Sequence, residues 1–377
     1  MKVLHVMEST IGGTRRHVRD VARGQKDLGL DVTLCVSTQR DPPFEQDLVE
    51  LEARGVRVHR VPMVREIRPL KDLQHAVRIA ELLRRERPDV VHTHSSKAGV
   101  LGRSASLATG IGARVHTPHT FAFLFEAMFG RAKREFFRAV EKGLSEATQV
   151  VIAVSPAEGH LFVSSGVVPQ QRVRVVENGI DPDPYLDAER LERTTLGVPE
   201  DAPLGAVVGL LNAAKGQDLA LRALARPELE GVHLLLAGHG EDEPALRALA
   251  RELGVADRAH FLGWRDDVPA LLATSDFLLL PSRWEGMPYA VLEAMAAAVP
   301  VVCTPVPGAV DLVEHGLTGR IATGGDAAAL AGEIERLLAV PRELRSQLGL
   351  RARARVLERH TARGMARRLA EVYESLV

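Results

Sequence analysis

The stretch Phe277-Leu-Leu-Leu-Pro-Ser-Arg-Trp-Glu285-Gly286-Met287-Pro288-Tyr289-Ala-Val-Leu-Glu293-Ala-Met295 decides the fold class of this chain. Its first four residues form a short apolar run, which is typical of a buried parallel strand. From Pro288 to Ala297 the composition is that of a helix, and proline suits the first position of a helix. A strand that passes through a glycine turn into a helix is half of a βα unit. The sequence therefore predicts an α/β protein with a parallel sheet.

Two acidic residues flank this turn. Glu285 lies in the loop, and Glu293 lies on the helix, where it shares a face with Tyr289. Backbone N–H groups at the start of a helix favour bound anions, and carboxylates accept hydrogen bonds from hydroxyl groups. This pattern favours a ligand with an anionic group and hydroxyls at two places, such as a sugar and a ribose. The alternative is that both carboxylates are simply solvated on a helix surface.

The rest of the chain repeats the same alternation of short apolar runs and amphipathic stretches. Predicted strands in the first half are 2–7, 31–37, 56–61, 89–93, 113–117 and 149–154. Predicted helices between them are 15–28, 44–53, 70–86, 96–108 and 131–147. A second series of strands is predicted at 203–210, 232–237, 259–262, 277–280, 299–304 and 319–322. The chain is therefore expected to form two doubly wound halves.

The length of 377 residues also favours two domains. A turn-rich segment at 178–200 contains Asp181-Pro-Asp-Pro184, which we interpret as turn chemistry and not as a metal-binding pair. We place the boundary at 180/181, with domains 1–180 and 181–359. Open α/β sheets bind ligands at the carboxyl ends of their strands. We therefore expect the two domains to face each other across a cleft that holds the active site.

Composition and charge exclude several classes of protein. No run of about 18 apolar residues occurs, and the N-terminus becomes polar too early for a secretory signal, so we expect a cytoplasmic protein. The two cysteines, Cys35 and Cys303, lie in apolar runs, which favours burial over disulfide or metal chemistry. The first 180 residues contain 27 basic and 20 acidic residues, although the net charge of the chain is −1. This asymmetry favours an anionic partner, but no nucleic-acid recognition motif is present.

The second half resembles the donor-binding domain of glycosyltransferase family 4, the retaining GT-B enzymes. The matching motifs are Gly209-Leu-Leu-Asn-Ala-Ala-Lys215-Gly216, Leu234-Leu-Leu-Ala-Gly238-His-Gly240, Phe261-Leu-Gly263-Trp264, Asp267-Val-Pro and the stretch Pro281 to Val302. The first half matches more loosely, through Ile11-Gly12-Gly13, His92-Thr-His94-Ser-Ser-Lys97, His116-Thr-Pro-His119 and Asn178-Gly179. The resemblance implies a GT-B fold of two Rossmann-like domains, with a final helix at about 360–377 that packs back on the first domain.

The resemblance also implies an activity. A sugar would pass from a nucleoside diphosphate sugar, with a UDP-sugar favoured, to a hydroxyl of a lipid-linked or polysaccharide acceptor, with retention and with no metal or other cofactor. The implied catalytic residues are Glu285, His119 and Lys215, and the implied acceptor-binding residues are His119, Lys97 and Phe121. The implied donor-binding residues are Gly12, Gly13, Lys215, Gly238, Gly263, Trp264, Arg283, Glu285, Gly286, Met287, Pro288, Tyr289 and Glu293. A purely structural role for His119 is the alternative at that position.

One position departs from the family pattern. The family usually has an arginine five residues before the lysine, and this chain has Leu210 there. The missing contact with a diphosphate would be worth about 1.5 to 3 kcal/mol. Arg283, Arg15 and Arg16 are the candidates to replace it.

The acceptor side carries an unusual cluster of aromatic residues. Six of the ten phenylalanines lie at 121, 123, 125, 129, 136 and 137, beside the cations Arg131, Lys133, Arg134 and Arg138. Such a combination suits an anionic membrane surface or a lipid diphosphate, which would place the protein at the inner face of the membrane. The alternative is that these rings pack beneath a helix.

Two other functions are compatible with this architecture. One is an isomerase of the epimerase type that acts on nucleoside diphosphate sugars, and the other is a nonenzymatic module that binds them. A dehydrogenase is disfavoured because no strand is followed by Gly-x-Gly-x-x-Gly.

Overall fold

The computed structural model describes residues 1–8, 11–124 and 129–377. The chain forms two compact units. The first unit contains Met1–Asn178 together with Ala362–Val377, and the second contains Gly179–Thr361.

The first unit is built on a parallel sheet of seven strands within its described residues, in the order β3-β2-β1-β4-β5-β6-β7. The strands are β1 (Lys2–Met7), β2 (Asp31–Val36), β3 (Arg57–Arg60), β4 (Val90–His94), β5 (Ala113–Thr117), β6 (Val150–Ala153) and β7 (Val173–Val175). The helices between them are α1 (Gly13–Asp27), α2 (Phe44–Ala53), α3 (Pro69–Glu86), α4 (Ser96–Thr109), α5 (Arg131–Glu146) and α6 (Pro156–Ser164). The strand order reverses between β1 and β4, which makes this pair the topological switch point of the sheet.

The second unit repeats this plan with a parallel sheet of six strands, in the order β10-β9-β8-β11-β12-β13. The strands are β8 (Leu204–Val208), β9 (His233–Ala237), β10 (Ala259–Gly263), β11 (Phe277–Leu280), β12 (Val301–Cys303) and β13 (Gly319–Ile321). The helices are α7 (Asp183–Leu186), α8 (Gln217–Leu224), α9 (Glu243–Glu252), α10 (Val268–Thr274), α11 (Tyr289–Ala296), α12 (Ala309–Leu312), α13 (Ala327–Leu338) and α14 (Arg342–Arg359). Here the order reverses between β8 and β11.

The last helix, α15 (Ala362–Glu374), belongs to the first unit. It packs against α1 and buries an apolar face in the core of that unit, where Met365, Leu369 and Tyr373 are fully buried. The Tyr373 hydroxyl lies 2.5 Å from Nδ1 of His92 on β4 and accepts a hydrogen bond from Nε2 of Gln25 on α1. The C-terminal helix α15 therefore contributes part of the hydrophobic core of the first unit.

The predicted α/β class with two parallel sheets is confirmed. The predicted series missed β7 and α6, because β7 has only three residues and half-exposed side chains, so it carries little apolar signal. The described residues also contain four short 3₁₀ segments that were not predicted, namely Ala122–Leu124, Gln170–Arg172, Arg193–Leu196 and Pro227–Leu229. Both cysteines are buried, as expected. Among the described helices, none is both long and apolar enough to cross a bilayer.

Candidate active site

Two of the predicted donor-site residues, Lys215 and Glu285, meet at the switch point of the second sheet. The loop after β8 carries Lys215, and the loop after β11 carries Glu285, and these two strands are neighbours. The backbone joins the loops directly, because the N–H of Arg283 donates to the carbonyl of Ala214 at 2.8 Å. The topology thus brings together residues that are far apart in sequence, as the location rule for open α/β sheets predicts.

A charged pair lies at the centre of this site. Nζ of Lys215 donates to Oε1 of Glu285 at 2.7 Å, and the Ser282 hydroxyl donates to the same oxygen at 2.7 Å. The Glu285 side chain is 9% exposed and the Lys215 side chain 29%, so the lysine is the more accessible partner. Asn212 shapes the lysine loop, since its side-chain oxygen accepts the N–H of Ala214 at 3.1 Å. The site therefore presents a cation and a carboxylate that already neutralise each other.

Arg283 does not supply the second free cation expected from the sequence. Its guanidinium donates to both carboxylate oxygens of Asp218, at 2.8 and 2.7 Å, and to the carbonyl of Ala213 at 2.9 Å. Burial alone would raise the pKa of Asp218, but the hydrogen bonds and charge of Arg283 outweigh it, so that this pKa is lowered. The arginine is committed to tying the two loops together. This pairing argues against the predicted role of Arg283 in replacing the arginine that is absent at Leu210.

The turn that precedes α11 is closely packed against the loop that carries Gly308. Pro288 precedes the first helical residue, Tyr289, and Met287 is buried at 4% exposure. Gly308 is close to the other side of the turn and has φ of +73°. A β-carbon at that position would lie 2.1 Å from the carbonyl oxygen of Gly286. The first-turn N–H groups of any helix lack partners earlier in the helix, so this rigid turn holds potential anion donors in place.

Glu293 is held by a residue that the sequence did not point to. The hydroxyl of Tyr185, in α7, donates to Oε1 of Glu293 at 2.8 Å. Glu293 is only 7% exposed. This hydrogen bond ties α11 to α7.

Gly238 directly follows β9, Gly263 is the last residue of β10, and Trp264 directly follows it. The N–H of Gly238 donates to the carbonyl of Gly263 at 2.8 Å. A β-carbon on Gly238 would lie 1.9 Å from the carbonyl of Gly209, so close backbone packing by itself requires glycine there. Trp264 is 58% exposed, and its indole N–H donates to Asp266 at 2.9 Å. The indole therefore offers an accessible flat surface.

In the first unit, Gly12 and Gly13 lie at the switch point of that sheet. Gly12 has φ of +58° and precedes α1, whose first residue is Gly13. Arg15 does not extend toward the glycine loop as a free cation, because it is paired with Asp41 at 3.0 Å and with Asp47 at 2.6 Å. Arg16 lies 3.5 Å from Asp20. Neither arginine is thus an unpaired substitute for the one missing at Leu210.

His119 follows β5 in a strained backbone. It has φ of +51°, and Thr120 has φ of +76°, conformations that cost non-glycine residues on the order of 1–3 kcal/mol each. The buried carboxyl of Glu158 stabilises this turn by accepting the N–H of Thr120 at 2.9 Å and that of Val154 at 2.8 Å. Burial raises the pKa of Glu158 to about 7. Strain of this kind clusters at functional sites, which supports a role for His119 beyond packing.

His119 ends a group of buried histidines. Its Nε2 lies 3.2 Å from Nδ1 of His94, and Nε2 of His94 lies 3.0 Å from Nδ1 of His5. Burial, followed by the nearby His17, lowers the pKa of His119 well below its ordinary value. Burial likewise lowers the pKa values of His5 and His17 to about 4. These imidazoles are therefore neutral near pH 7.

The structure shows other contacts for the predicted acceptor residues Phe121 and Lys97. Phe121 is fully buried, with its ring 4.5 Å from that of Phe162 and 5.1 Å from that of Phe123. It therefore belongs to the apolar core and presents no surface to an acceptor. Lys97 donates to Asp72 at 2.7 Å and to the carbonyl of Glu66 at 2.8 Å, with its side chain 10% exposed. That ammonium is already neutralised by Asp72.

Of the clustered phenylalanines, some are buried, as the packing alternative expects, and one is exposed, as a membrane-facing surface expects. Phe121 and Phe123 are buried, whereas Phe136 is 55% exposed on α5. Nζ of Lys133 lies over the rings of Phe129 at 4.7 Å and Phe137 at 5.7 Å. Phe125 lies outside the described residues.

Sequence reasoning missed Ser282, Asn212, Tyr185 and Gly308 at the donor site. Ser282 is three residues from Glu285, so its position was a usable signal. Tyr185 lies 108 residues from Glu293, and no local pattern links them. The role of Gly308 depends on a backbone contact between two loops, which only the folded chain reveals.

Comparisons with known families agree with this geometry. Residues 11–184 match the family described as Glycosyltransferase Family 4, and residues 189–355 match the family described as Glycosyl transferases group 1. The two matches together span both units.

Individual relatives carry related names. The chain is 30% identical to the UDP-Gal:alpha-D-GlcNAc-diphosphoundecaprenol alpha-1,3-galactosyltransferase of Escherichia coli, over 70% of this chain and 70% of that protein. It is 31% identical to the D-inositol 3-phosphate glycosyltransferase of Acidothermus cellulolyticus, over 87% of this chain and 78% of that protein. Among solved structures, Anabaena HepE in complex with UDP and glucose matches with a TM-score of 0.83 and 25% identity, over 100% of both chains.

Proposed function

Since the chain belongs to the family 4 glycosyltransferases and has their GT-B fold, we propose that it transfers a sugar from a UDP-sugar to a hydroxyl of a lipid-linked or polysaccharide acceptor. We further propose that the anomeric configuration is retained and that no metal is required. The observation that carries the proposal is the Lys215, Glu285 and Ser282 group at the switch point of the second sheet.

In this proposal the donor lies along the loops after β8 and β11. Lys215 and the first-turn N–H groups of α11 bind the diphosphate, whose negative charge grows as the glycosidic bond breaks. Glu285 and the backbone of Gly286 to Tyr289 hold the sugar. The UDP and glucose found in the HepE complex support this choice of donor.

The Lys215–Glu285 ion pair has a consequence for binding. The diphosphate competes with Glu285 for the ammonium of Lys215, and the sugar hydroxyls then take up the hydrogen-bonding capacity of the carboxylate. The exchange replaces one charge-assisted contact by another, so its net cost is small. The Lys215–Glu285 ion pair in the ligand-free protein is therefore compatible with a donor site.

Glu293 binds the ribose hydroxyls in this arrangement. Tyr185 already occupies Oε1, and this hydrogen bond fixes the rotation of the carboxylate. Gly238, Gly263 and Trp264 lie beside the base, with the exposed indole as a stacking surface.

For the transfer step, we propose attack from the face that the diphosphate leaves. The bond between the anomeric carbon and the phosphate oxygen breaks, and a bond to the acceptor oxygen forms. The acceptor proton passes to the departing phosphate oxygen. Glu285 then acts by binding the sugar and not as a nucleophile, and the neutral His119 hydrogen-bonds the donor sugar and the acceptor.

The acceptor assignment has separate support. The Escherichia coli relative is named for an acceptor attached to diphosphoundecaprenol. In this chain α5 presents Lys133 beside aromatic rings, with Phe136 exposed. Such a surface suits the anionic inner face of a membrane, and we propose peripheral contact there. If the purified protein does not bind anionic liposomes at low salt, the proposed membrane contact is wrong.

The donor proposal is tested by thermal-shift measurements with a panel of nucleoside diphosphates. A ligand that binds the native state stabilises it by RT ln(1 + [L]/Kd), and UDP is expected to give the largest shift. Incubation with labelled UDP-sugars and lipid-diphosphate acceptors then tests transfer, and NMR of the product reports its anomeric configuration. Activity that is unchanged by EDTA is expected. Conversion of the donor sugar in the absence of acceptor would indicate the isomerase alternative instead.

A further inference from the structure

The first unit contains a histidine cluster that the transfer reaction does not fully use. Within the described residues, one ring nitrogen from each of His17, His94 and His119 lies within 4.8 Å of the others. His94 ends β4, His17 lies on α1, and His119 follows β5. These residues come from three elements around the switch point of the sheet.

The orientation of His17 leaves one of its nitrogens available. Nδ1 of His17 lies 2.9 Å from the side-chain oxygen of Asn178, which can only accept, so Nδ1 carries the proton. Nε2 of this neutral ring then has a lone pair. It is buried and has no hydrogen-bond partner among the described residues. Burial of an acceptor without a hydrogen bond costs folding free energy. A ligand bound to this nitrogen would offset that cost.

The tautomer of His94 is set by a chain of hydrogen bonds. Nε2 of Gln25 donates to the Tyr373 hydroxyl at 3.2 Å, which turns Oε1 of Gln25 toward Nε2 of His5 at 2.8 Å. His5 must donate there and therefore accepts at Nδ1, where Nε2–H of His94 donates at 3.0 Å. Nδ1 of His94 is consequently left as an acceptor, and it is directed at His119.

His119 completes the group. Its Nε2 lies 3.2 Å from Nδ1 of His94 and donates to it in the absence of other ligands. Transfer of the ring proton to Nδ1 of His119 would leave a lone pair on its Nε2. We propose that His17, His94 and His119 form a binding site for a transition-metal ion that prefers imidazole, with Zn²⁺ the leading candidate.

The chemistry of the donor set supports this assignment. Three histidines with an open fourth position are a recurrent Zn²⁺ arrangement, with Zn–N distances of about 2.0–2.1 Å. Tetrahedral ligands at that distance are roughly 3.3 Å apart, so small side-chain shifts suffice. Asn178 behind His17, and His5 behind His94, are the kind of outer hydrogen-bond partners that orient metal ligands.

A neighbouring group is a poorer candidate. His5, His92 and His94 also have ring nitrogens within 4.8 Å of one another. However, Nδ1 of His92 is 2.5 Å from the Tyr373 hydroxyl, and its Nε2 is 2.8 Å from Oγ1 of Thr117. An ion there would have to displace both hydrogen bonds of His92, whereas an ion at His17, His94 and His119 would displace the contact between His94 and His119, and Nε2 of His17 has no hydrogen bond to lose.

This inference goes beyond the transfer function and does not depend on it, although an ion bound to Nε2 of His119 would compete with the sugar and acceptor that the transfer proposal places at that residue. Binding can be measured without any sugar nucleotide. Failure of the metal site would leave the donor proposal intact, and failure of the donor proposal would leave the metal site intact.

The test is titration of the metal-stripped full-length protein with Zn²⁺ by calorimetry and with Co²⁺ by visible absorption. One ion per chain is expected, with Co²⁺ bands of a four-coordinate site. His17→Gln should weaken binding at least ~100-fold, since a direct ligand matters more than outer partners, whose loss typically costs 10–100-fold. His119→Gln, at a half-buried position, provides a second ligand variant if His17→Gln does not fold.

The control is His260→Gln in the second unit, where His233 and His260 stack with ring nitrogens 2.9 Å apart. This variant should bind Zn²⁺ like the unaltered protein. Absence of Zn²⁺ binding at 1:1 stoichiometry would overturn the proposal. Equal affinity of the unaltered protein and a folded ligand variant would overturn it as well.

Discussion

Lys215 and Glu285 lie 70 residues apart in the sequence, yet their side chains meet at 2.7 Å across the two loops of the second switch point. Ser282 donates to the same carboxylate oxygen. Each charged residue is the counterion of the other in the ligand-free protein. A donor bound at this proposed site would therefore rearrange this pair, and both residues should matter for turnover.

Replacement of Glu285 by alanine should abolish transfer. The change removes the carboxylate proposed to hold the sugar and leaves Lys215 without its partner, so a loss of at least ~100-fold in kcat is expected by analogy with other preorganised groups. Transfer of labelled sugar at saturating donor measures it. Glu228→Ala, which breaks a surface ion pair with Arg226, is the control and should keep full activity.

Replacement of Glu293 by alanine should mainly weaken donor binding. Loss of a charge-assisted contact of about 1.5–3 kcal/mol corresponds to roughly 10–100-fold in Kd for UDP. Tyr185→Phe removes the hydroxyl that donates to Oε1 of Glu293 and should have a smaller effect in the same direction. Calorimetry with UDP gives both values. Near-native transfer rates for both the Glu285 and the Glu293 alanine variants would refute the site.

Introduction of an arginine at Leu210 should strengthen diphosphate binding. Arg283 is committed to Asp218, so the loop after β8 lacks the second cation that the family usually has. Leu210→Arg is expected to tighten UDP binding by about 10-fold or more. Leu210→Gln, of similar length and without charge, separates the charge from the altered packing. Equal Kd values for the two variants would argue against a vacant cation position.

Replacement of Gly308 by alanine should disturb the donor loop. The added β-carbon would lie 2.1 Å from the Gly286 carbonyl, and backbone at that contact cannot move cheaply. A loss of roughly 1–3 kcal/mol in stability and a weaker UDP response are expected. Gly316→Ala is the matched control, because Gly316 has a similar φ of +80° but nothing within 4 Å of a β-carbon. Equal effects of the two changes would point to φ strain alone.

The first unit should lose stability as the pH falls from about 6.5 to 4. Burial lowers the folded-state pKa values of His5 and His17 to about 4, so the unfolded chain binds protons first in this window. Each pKa unit is worth about 1.4 kcal/mol per group. Glu158 acts in the opposite direction between about 4.5 and 7, because its pKa is raised in the folded state, but the buried histidines outnumber it.

Urea unfolding at pH 7 and pH 5, followed by a probe in the first unit, measures this effect. The midpoint should be lower at pH 5. The difference should shrink in His5→Gln, which removes one of the buried imidazoles. A midpoint that does not change with pH would contradict the burial of neutral histidines.

Much of the fold could be predicted because parallel strands covered on both faces are almost continuously apolar. Phe277–Leu280 is an example whose predicted bounds match β11. The short, half-exposed β7 lacks that signal, since three residues cannot display a pattern. Local sequence was thus sufficient for the central strands and insufficient for the edge.

The site could be predicted in position but not in detail. The strand-turn-helix pattern located Glu285 and Glu293, because the chemistry of a helix start is local. Arg283 forms an ion pair with Asp218, and Lys97 forms one with Asp72. Both are tertiary contacts that no spacing in the sequence reveals. The same holds for Phe121, whose buried ring packs against Phe162 of α6.

The return of α15 to the first unit has a consequence for biosynthesis. Tyr373 fills the core of that unit, but the ribosome makes it only after the whole second unit. At 5–20 residues per second in typical synthesis, the first unit would wait roughly ten seconds or more with His92 and Gln25 lacking their aromatic partner. During that interval, nascent chains should expose an apolar groove to chaperones and proteases, and a truncation before Ala362 should make that exposure permanent.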